Sequence, residues 1–503
     1  MDKIKVNNYY LDEQQTQIVL DESESLLVVA GAGSGKSLTI EGKIKYLVEY
    51  KNVNPKEILC ISFTNDATKS LKEKISQYDI DVFTFHKLGL NILEKSNKNY
   101  NISLSDYLEF IVHEFFFGIV FESDFFMKKI LRYFNVFCLF NVSKKYNKFL
   151  KSKYREIISF EKLIVKFIKL YKTNGNTIHN FYNFFNKTII YKERIFLLIV
   201  LNIYLIYTKD LSSSGLIDFD DMLIKSREEI ECCRVILNYK YIIIDEYQDT
   251  SYVRYLLIKT IIDKTNAKFI AVGDDFQSIY RFSGCDLKMF TNFLDFFPNG
   301  NILKIEKTYR NSIELINIAG DFVMKNNSQI KKELKSDKSI KNPIVICYYE
   351  DIYNDFEKLL NKINGKIMIL GRNNRDINFI FNNNIKLVNN EIIYEKNPNI
   401  LLKYYTVHRS KGLEEDNVII LNMIDDNLGF PNKIENNKII RFVLNEKSHF
   451  LLDEERRLFY VALTRTKNRV YLLTKRGKES VFIKELIKEY SVDIIYLNKK
   501  KLI

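Results

Sequence analysis

Several features are missing from this sequence, and each absence excludes a class of protein. The six cysteines show neither metal-ligand nor disulfide spacing, which indicates a reduced, intracellular setting without a cysteine-built metal site. No apolar segment follows the N-terminal MDKIKVNNYY, so we expect no signal peptide and a cytoplasmic protein. The longest apolar run, residues 195–207, has 13 residues and is too short to span a bilayer, so we predict a buried helix and no membrane partner.

Tryptophan is also absent, and the 503 residues include only 17 glycines and 5 prolines. This scarcity, beside abundant lysine, asparagine, isoleucine, phenylalanine and tyrosine, is typical of an A/T-rich coding sequence. The net charge of +13 favours a polyanionic partner such as nucleic acid. Coding bias explains the same surplus, so composition leaves both explanations open. An apolar fraction of 46% is typical of a globular chain. The length of 503 residues is sufficient for two to four domains.

The segment LLVVAGAGSGKS, residues 26–37, joins an apolar strand to a helical pattern through a glycine-rich turn. Glycines at such a turn let several backbone N–H groups point into one concavity, which suits phosphate groups. Lys36 would neutralise the β- and γ-phosphates, and the Ser37 hydroxyl would ligate Mg²⁺. Ala30 stands where the strict form of this pattern has a glycine. We therefore predict a phosphate loop formed by Ala30, Gly31, Ala32, Gly33, Ser34, Gly35, Lys36 and Ser37.

The pattern of predicted elements changes along the chain. Strands and helices alternate over the first 90 residues, which predicts an α/β layout with parallel strands. Residues 89–209 are rich in aromatics and helical in periodicity, so we predict a helical insertion whose aromatics form its core. The α/β pattern then resumes, and we expect a second α/β unit to start near residue 300 with a strand at 302–305. No long helix is expected in the asparagine-rich residues 376–400.

Polar side chains follow two apolar strands in the resumed α/β part. Asp245 and Glu246 follow the first of these strands, where one carboxylate would hold a metal and the other would activate an attacking water. Gln277 follows the second strand, in a position to sense a γ-phosphate. Tyr280 and Phe282 come directly after it and are suited to stacking on bases. This order would couple nucleotide state to nucleic-acid binding.

Two further side chains near the ends of the chain are candidates for the same site. Gln15 lies in a short amphipathic helix pattern, and its amide can hydrogen-bond a planar base. Arg465 follows a helical pattern and is a candidate arginine finger supplied within the chain. Because Arg465 lies 429 positions after Lys36, only a fold with two lobes brings them together.

These segments, in this order and spacing, resemble superfamily 1A DNA helicases, the UvrD/Rep/PcrA group. A phosphate loop that begins with alanine is that family's own form. Within the group, VGDDFQSIYRFSG, IIIDEYQD and EERRLFYVALTRT are most similar to bacterial helicase IV. The resemblance implies the α/β fold of P-loop NTPases, with two RecA-like parallel-sheet lobes that bind ATP and Mg²⁺ between them.

The resemblance also implies a domain layout. Family members carry a large helical insertion in the second lobe, but Arg375 and Tyr405 are only 30 positions apart here. We therefore expect the insertion of the second lobe, called 2B, to be absent or reduced to a remnant at about 376–403. The other implied domains are lobe 1A at 1–88 with 210–297, helical insertion 1B at 89–209, and lobe 2A at 298–503.

The family motifs assign a role to individual positions of this chain. The implied catalytic residues are Lys36, Asp245, Glu246, Gln277, Arg310 and Arg465, with Ser37 and Asp245 as metal ligands. Besides the phosphate loop, the implied nucleotide contacts are Gln15 at adenine, Tyr309 stacked on it and Glu414 near the ribose. The implied DNA contacts are Phe63, Asn65, Thr84, His86, Tyr280, Phe282 and His408. Phe282 often corresponds to tryptophan in the family, so its stacking face is smaller here.

Two functional hypotheses remain open from the sequence. The first is an ATP-dependent 3′–5′ DNA helicase or translocase that acts on single-stranded DNA or a 3′-tailed duplex. The second is a regulatory helicase-like subunit that senses DNA for a protein partner, either a nuclease in anti-phage defence or RNA polymerase. A catalytically inactive binding module is disfavoured, because every hydrolytic position carries the residue that the chemistry requires. A strand-displacement assay on the protein alone separates the first two hypotheses.

Overall fold

The computed structural model describes residues 4–498, except 7, 99, 389–390, 435–436 and 445–450. The described chain contains two large sheets, each flanked by helices, and a separate helical body. We call the parts built on the two sheets the first and the second lobe. The expected α/β class is thereby confirmed.

Six parallel strands form the sheet of the first lobe, in the spatial order β6-β1-β5-β4-β2-β3. The strands are β1 Ser25–Ala30, β2 Ile58–Ser62, β3 Asp81–Thr84, β4 Tyr241–Ile244, β5 Lys268–Gly273 and β6 Asn301–Ile305. The flanking helices are Glu13–Leu20, Lys36–Lys45, Asn65–Lys74, Phe85–Lys95, Phe219–Glu231 and Tyr252–Thr265. After Ser25, strand β1 is apolar because both sheet faces are covered: Leu27 packs into one core and Val28 into the other. The carboxyl ends of all six strands therefore meet at one edge.

One strand lies in a different sheet from the one expected. The sequence at 302–305 was expected to open the second α/β unit, but β6 pairs with β1 over its whole length in the first sheet. Its position beside β1 brings the following residues, Thr308 to Arg310, against the phosphate loop. The next helix begins at Ile313, where Ser312 caps it by accepting a hydrogen bond from the Leu315 amide.

The helical body, which we call the insertion, consists of residues that lie between β3 and β4 in the chain. Its helices are Tyr107–Phe117, Asp124–Tyr133, Val142–Ser152, Tyr154–Thr173, Ile178–Lys187 and Tyr191–Ser213. Many aromatic side chains, such as Phe116, Phe167 and Phe196, are fully buried in one core. The helix Tyr191–Ser213 is long and apolar enough to cross a membrane by length and composition, yet it contributes Phe196 to this core. Two short strands, Asn101–Ile102 and Leu216–Ile217, pair at the base of the insertion.

Eight strands form the sheet of the second lobe, in the spatial order β9-β10-β11-β8-β12-β13-β7-β14. The strands are β7 Ile344–Tyr349, β8 Ile367–Gly371, β9 Ile385–Val388, β10 Glu391–Tyr394, β11 Leu402–Thr406, β12 Asn417–Ile420, β13 Val470–Lys475 and β14 Asp493–Tyr496. The longer helices beside them are Ile313–Met324, Ile352–Leu360, Leu451–Leu463 and Val481–Glu489. Strand β10 runs antiparallel to both of its neighbours, whereas the other pairs are parallel. The asparagine-rich region thus adds an edge hairpin to the sheet.

A short segment of the second lobe reaches into the insertion. We call residues 438–444, which include the 3₁₀ helix Lys438–Phe442, the arm. Its apolar side chains belong to the core of the insertion; they are Ile439, Ile440, Val443 and Leu444. Arg441 also donates to both carboxylate oxygens of Glu193 at 2.9 Å. The arm therefore attaches the insertion to the second lobe through both apolar and charged contacts.

Candidate nucleotide site and strand-binding surface

The phosphate loop connects β1 to the helix Lys36–Lys45 at the carboxyl edge of the first sheet. Gly33 and Gly35 have φ values of 70° and 79°, in the left-handed region that favours glycine. A Cβ on Gly33 would lie 2.5 Å from the Cβ of Arg310, and one on Gly35 would lie 2.8 Å from the Nε2 of Gln15. Both glycines are thus required by backbone conformation and by space. Ser34 Oγ is buried and has no hydrogen-bond partner within the described part of the chain, so it is available to a ligand.

The two carboxylates expected at the hydrolytic centre follow β4 and face two lysines. Lys36 Nζ lies 3.3 Å from Glu246 Oε1, and Lys411 Nζ of the second lobe lies 3.2 Å from Glu246 Oε2. Burial raises the pKa of Glu246, but Lys36 and Lys411 outweigh it and hold that pKa below its usual range. Burial and the neighbouring Glu246 charge raise the pKa of Asp245. Glu246 also has a φ of 57°, a left-handed conformation that is unusual outside glycine and common at functional sites.

Residues of both lobes meet on the γ-phosphate side of the expected site. Arg465, which is 1% exposed, donates from Nη2 to the Gln277 Oε1 at 2.9 Å. Burial, with the nearby Arg310 charge, lowers the pKa of Arg465 to about 9. Arg310 donates from Nε to Glu414 at 2.6 Å, so these two residues contact each other across the mouth of the site. The structure thus brings Gln277, Arg310, Arg465 and Glu414 together.

The expected adenine side of the site is built on the helix Glu13–Leu20. The Asp12 side chain caps this helix, and Gln15 Oε1 accepts the Asp12 N–H in return. Gln15 Nε2 donates to the backbone oxygen of Ser34 at 3.1 Å, which fixes the buried glutamine against the phosphate loop. Tyr309 is 55% exposed, and its hydroxyl donates to Asp12 at 2.7 Å. The tyrosine ring is therefore held near Gln15 while its face remains accessible.

A cleft of about 340 Å³ lies between these parts, with walls from both lobes. Its lining residues are Gly33, Gly35, Tyr309, Arg310, Lys338, Glu414 and Lys467. Two of them, Lys338 and Lys467, were not expected from the sequence. Lys467 Nζ lies 3.1 Å from Glu414, and Lys338 donates to the Lys467 backbone oxygen. The cleft is therefore cationic, as a triphosphate requires.

The residues present fit ATP with Mg²⁺. The loop glycines leave a concavity that side chains would fill, and Ser34 Oγ is buried and unpaired beside it. No group of three or more histidine, cysteine, aspartate or glutamate side chains suited to a metal occurs in the residues that the structure describes. A hydroxyl such as Ser37 and a single carboxylate such as Asp245 suit Mg²⁺, which takes its other ligands from phosphates and water.

Three of the expected DNA contacts form one aromatic cluster between the lobes. The ring of Phe282 lies 5.4 Å from that of His408 and 6.1 Å from that of Tyr280. The Tyr280 hydroxyl donates to the His408 backbone oxygen at 2.9 Å, which joins the two lobes. Burial lowers the pKa of His408 to about 4, so this ring is neutral near pH 7. Phe282 is 47% exposed and offers a free face for stacking.

The other expected DNA contacts lie near the carboxyl ends of β2 and β3. The guanidinium of Arg254 lies 5.0 Å from the Phe63 ring centre. His86 contacts the exposed ring of Phe219 at 5.1 Å, and burial lowers the pKa of this histidine to about 4. Thr84 uses its hydroxyl to cap the helix Phe85–Lys95, whereas Asn65 is exposed at the start of the next helix back.

A second, larger cleft of about 1120 Å³ lies between the first lobe and the insertion. Phe219 and Phe282 both line it, so the cleft continues from the aromatic cluster toward the insertion. Its opposite wall carries Lys162, Lys166 and Lys169 of the helix Tyr154–Thr173. Phe219 was not selected from the sequence. The available signal was an aromatic residue at a helix N-terminus, and the structure leaves this side chain exposed.

Lys411 is a further residue that sequence reasoning missed. It pairs with Glu246 and Asp249, donates to the Gln277 backbone oxygen at 3.0 Å and lies 5.3 Å from the Tyr280 ring centre. Burial lowers the pKa of Lys411, but the two carboxylates raise it more, so the amine stays protonated. One cation thus contacts both Glu246, a carboxylate of the expected hydrolytic centre, and the aromatic cluster. Lys411 could have been selected from its place in the segment TVHRSKGLE, residues 406–414, which also contains His408 and Glu414.

Comparison with known proteins agrees with this geometry. DNA helicase IV of Escherichia coli is 27% identical, and the alignment covers 97% of this chain and 72% of that protein. PcrA, an ATP-dependent DNA helicase of Staphylococcus aureus, is 28% identical over 64% of this chain and 41% of its own length. A probable DNA helicase II homolog of Mycoplasma capricolum is 27% identical, over 67% of this chain and 44% of its own length. The family model of the UvrD/REP helicase N-terminal domain matches residues 11–298, so this chain belongs to the UvrD/REP helicase family.

Proposed function

We propose that this chain is an ATP-dependent DNA helicase that moves along single-stranded DNA in the 3′ to 5′ direction. The observation that carries this proposal is the meeting of the lobes beside the phosphate loop, where Arg465 donates to Gln277 at 2.9 Å. A nucleotide held there would contact both lobes, so its binding and hydrolysis would change the distance between them. The similarity to DNA helicase IV and PcrA supports DNA as the polymer.

The proposed chemistry is hydrolysis of the terminal phosphate of ATP. Glu246, kept ionised by Lys36 and Lys411, would orient the attacking water and accept its proton. Asp245 and Ser37 would hold Mg²⁺, which would neutralise charge on the phosphates when bound.

The other proposed nucleotide contacts are assigned from the position of each residue around the cleft. Gln277, Arg310 and Arg465 would contact the γ-phosphate, and Arg310 would first have to leave Glu414. The proposed contacts to the rest of ATP are the loop residues 30–37, Gln15 and Tyr309 at the base, and Glu414 near the ribose.

The aromatic cluster would bind bases of the single strand. Tyr280, Phe282 and His408 lie close enough to stack on neighbouring bases, and Phe63 and His86 would extend the surface. The remaining proposed contacts are Asn65 and Thr84 on the same lobe. Because Lys411 touches both Glu246 and Tyr280, loss of the γ-phosphate would alter the contact to the strand.

We propose domain limits that follow the sheets. Lobe 1A would comprise 1–88 and 210–305, including β6, with insertion 1B at 89–209. Lobe 2A would comprise the residues from 306 onward. The hairpin of β9 and β10 would be what remains of accessory domain 2B.

The first test measures ATP hydrolysis with and without single-stranded DNA. We expect strong stimulation by DNA in the unaltered protein and loss of hydrolysis in Lys36→Ala, since this lysine faces Glu246 at 3.3 Å. Lys259→Ala serves as the control, because this lysine pairs with Asp263 on the helix Tyr252–Thr265 and does not line the cleft. Full DNA-stimulated activity in Lys36→Ala would refute the proposed site.

The second test measures strand displacement by the protein alone. We expect a 3′-tailed duplex to be unwound and a 5′-tailed duplex to remain paired. Unwinding from the 5′ tail would contradict the proposed direction. ATP hydrolysis without any unwinding would favour the regulatory DNA-sensing hypothesis instead.

A further inference from the structure

One lysine of the second lobe is buried inside the first. The segment 329–336 follows the helix Ile313–Met324 in sequence but lies along the first lobe. Lys335 forms a parallel bridge with Lys307, directly after β6. Leu334 packs so closely on the phosphate loop that a Cβ at Gly31 would lie 2.7 Å from its Cδ2. The segment therefore places its side chains behind the nucleotide site.

Lys332 of this segment contacts two consecutive carboxylates. Its Nζ lies 2.5 Å from Asp274 Oδ1 and 2.6 Å from Asp275 Oδ1, and all three side chains are fully buried. The same amine lies 3.6 Å from the ring centre of Phe276. Burial lowers the pKa of Lys332, but the two aspartates outweigh it and raise that pKa, so the lysine remains charged. Without this cation, two adjacent carboxylates would be buried unpaired, which is strongly unfavourable.

Asp274 connects Lys332 to Gln277, the expected γ-phosphate sensor. Its second oxygen, Oδ2, accepts a hydrogen bond from Gln277 Nε2 at 2.6 Å. A carboxylate accepts only from the amide nitrogen, so Asp274 turns the amide oxygen of Gln277 to the opposite side, where Gln277 Oε1 accepts from Arg465 at 2.9 Å. The Asp274 backbone N–H also donates to Gln248, whose amide donates to Glu246. Asp274 thus lies at the centre of the polar contacts around the γ-phosphate position.

We propose that Lys332 is a positioning residue for nucleotide hydrolysis: it holds Asp274, which orients the Gln277 amide with its oxygen toward Arg465. This role rests on the proposed function, in which Gln277 and Arg465 contact the γ-phosphate. Lys332 does not line the cleft, so it would act on the nucleotide only through Asp274 and Gln277. Because it belongs to the second lobe, it ties the orientation of a first-lobe side chain to the arrangement of the two lobes.

Asp275 offers a matched control for Asp274. Both side chains are fully buried, both contact Lys332, and each has its second oxygen hydrogen-bonded. Each side chain accepts hydrogen bonds from three donors, so replacing either aspartate by asparagine leaves one accepting oxygen for three donors. The partners on the second oxygen differ: at position 274 the partner is Gln277, and at position 275 the partners are the Ile330 N–H and Gln329. Their effects on folding should therefore be similar, while only one should affect hydrolysis.

The experiment compares steady-state ATP hydrolysis, at saturating single-stranded DNA, in Asp274→Asn and Asp275→Asn. We expect Asp274→Asn to lower kcat at least about tenfold with the KM for ATP within about twofold of the unaltered value. Asp275→Asn should stay within about threefold in both constants, and thermal melting should shift equally in the two variants. Equal losses of kcat in the two variants would overturn the positioning role.

Two further measurements link the effect to Lys332 and Gln277. Lys332→Met should reproduce the loss of kcat, and in a Gln277→Ala background Asp274→Asn should cause no additional loss. A further loss in that background would overturn the role, even if Lys332→Met failed to fold. If the unaltered protein shows no DNA-stimulated hydrolysis at all, the proposed function itself is wrong, and the positioning role falls with it.

Discussion

Replacing Lys411 by methionine tests whether the hydrolytic carboxylate depends on a cation of the opposite lobe. Lys411 Nζ lies 3.2 Å from Glu246 Oε2, and the two side chains are 9% and 24% exposed. At an effective dielectric constant of about 20, the attraction at this distance is about 5 kcal/mol before desolvation is subtracted. After that subtraction, about 2 kcal/mol remains to stabilise the ionised form of Glu246. Methionine keeps the aliphatic length but removes the charge.

The sign of the effect follows from which form of Glu246 the lysine stabilises. Lys36 and Lys411 hold the pKa of Glu246 below its usual range, so the carboxylate stays ionised down to acidic pH. Without Lys411 the pKa of Glu246 rises. On acidification, Glu246 is then protonated, and lost as a general base, at a higher pH than in the unaltered protein. The acid limb of the kcat against pH profile should therefore move to higher pH in Lys411→Met.

The assay is the pH profile of DNA-stimulated ATP hydrolysis for Lys411→Met and for Lys433→Met. Lys433 pairs with Asp425 at the surface, so its replacement removes a salt bridge without touching the site. The control should keep the unaltered profile. An acid limb that does not move in Lys411→Met, in a protein that is folded and active, would refute the role assigned to this lysine.

Three further changes have defined outcomes. Gly33→Ala should abolish nucleotide binding in a fluorescence titration, because its Cβ would meet Arg310 at 2.5 Å, whereas Gly412→Ala, also at positive φ but in open space, should retain binding. Arg465→Lys should lower single-turnover hydrolysis about 10³-fold with little change in ATP affinity, and a loss below tenfold would contradict its proposed role. Ile440→Ala should destabilise the insertion by about 2–4 kcal/mol in urea unfolding, since this side chain is 1% exposed in its core; an unchanged midpoint would contradict that packing.

The parts of the site that sequence predicted are those in which local chain order determines geometry. A strand, a glycine turn and a helix place Lys36 and Ser37 without reference to the rest of the chain. Asp245, Glu246 and Gln277 likewise follow strands of one parallel sheet, so their side chains meet at its carboxyl edge. Their roles in binding and hydrolysis remain predictions for the experiments above.

Features that depend on distant contacts could not be read from the sequence. Strand β6 has an apolar pattern that fits either sheet, and only its pairing with β1 decides between them. Lys332 and Lys331 are neighbours among 76 lysines and arginines, and no local pattern distinguishes the buried one from the exposed one. In the sequence the arm looks like an ordinary apolar loop. Its partner Glu193 lies more than two hundred residues earlier, so no local pattern indicates the contact.

The arm gives the insertion a second point of attachment. The two chain ends of the insertion attach it to the first lobe near Ile102 and Leu216. The four buried side chains of the arm attach it to the second lobe. Detaching these side chains would cost about 6–12 kcal/mol, taking the usual value for burying a large aliphatic residue. In the proposed ATP cycle the lobes would approach and separate, so a body attached to both would have to rotate as their spacing changes. A small closing movement between the lobes would then become a larger displacement at the far end of the insertion.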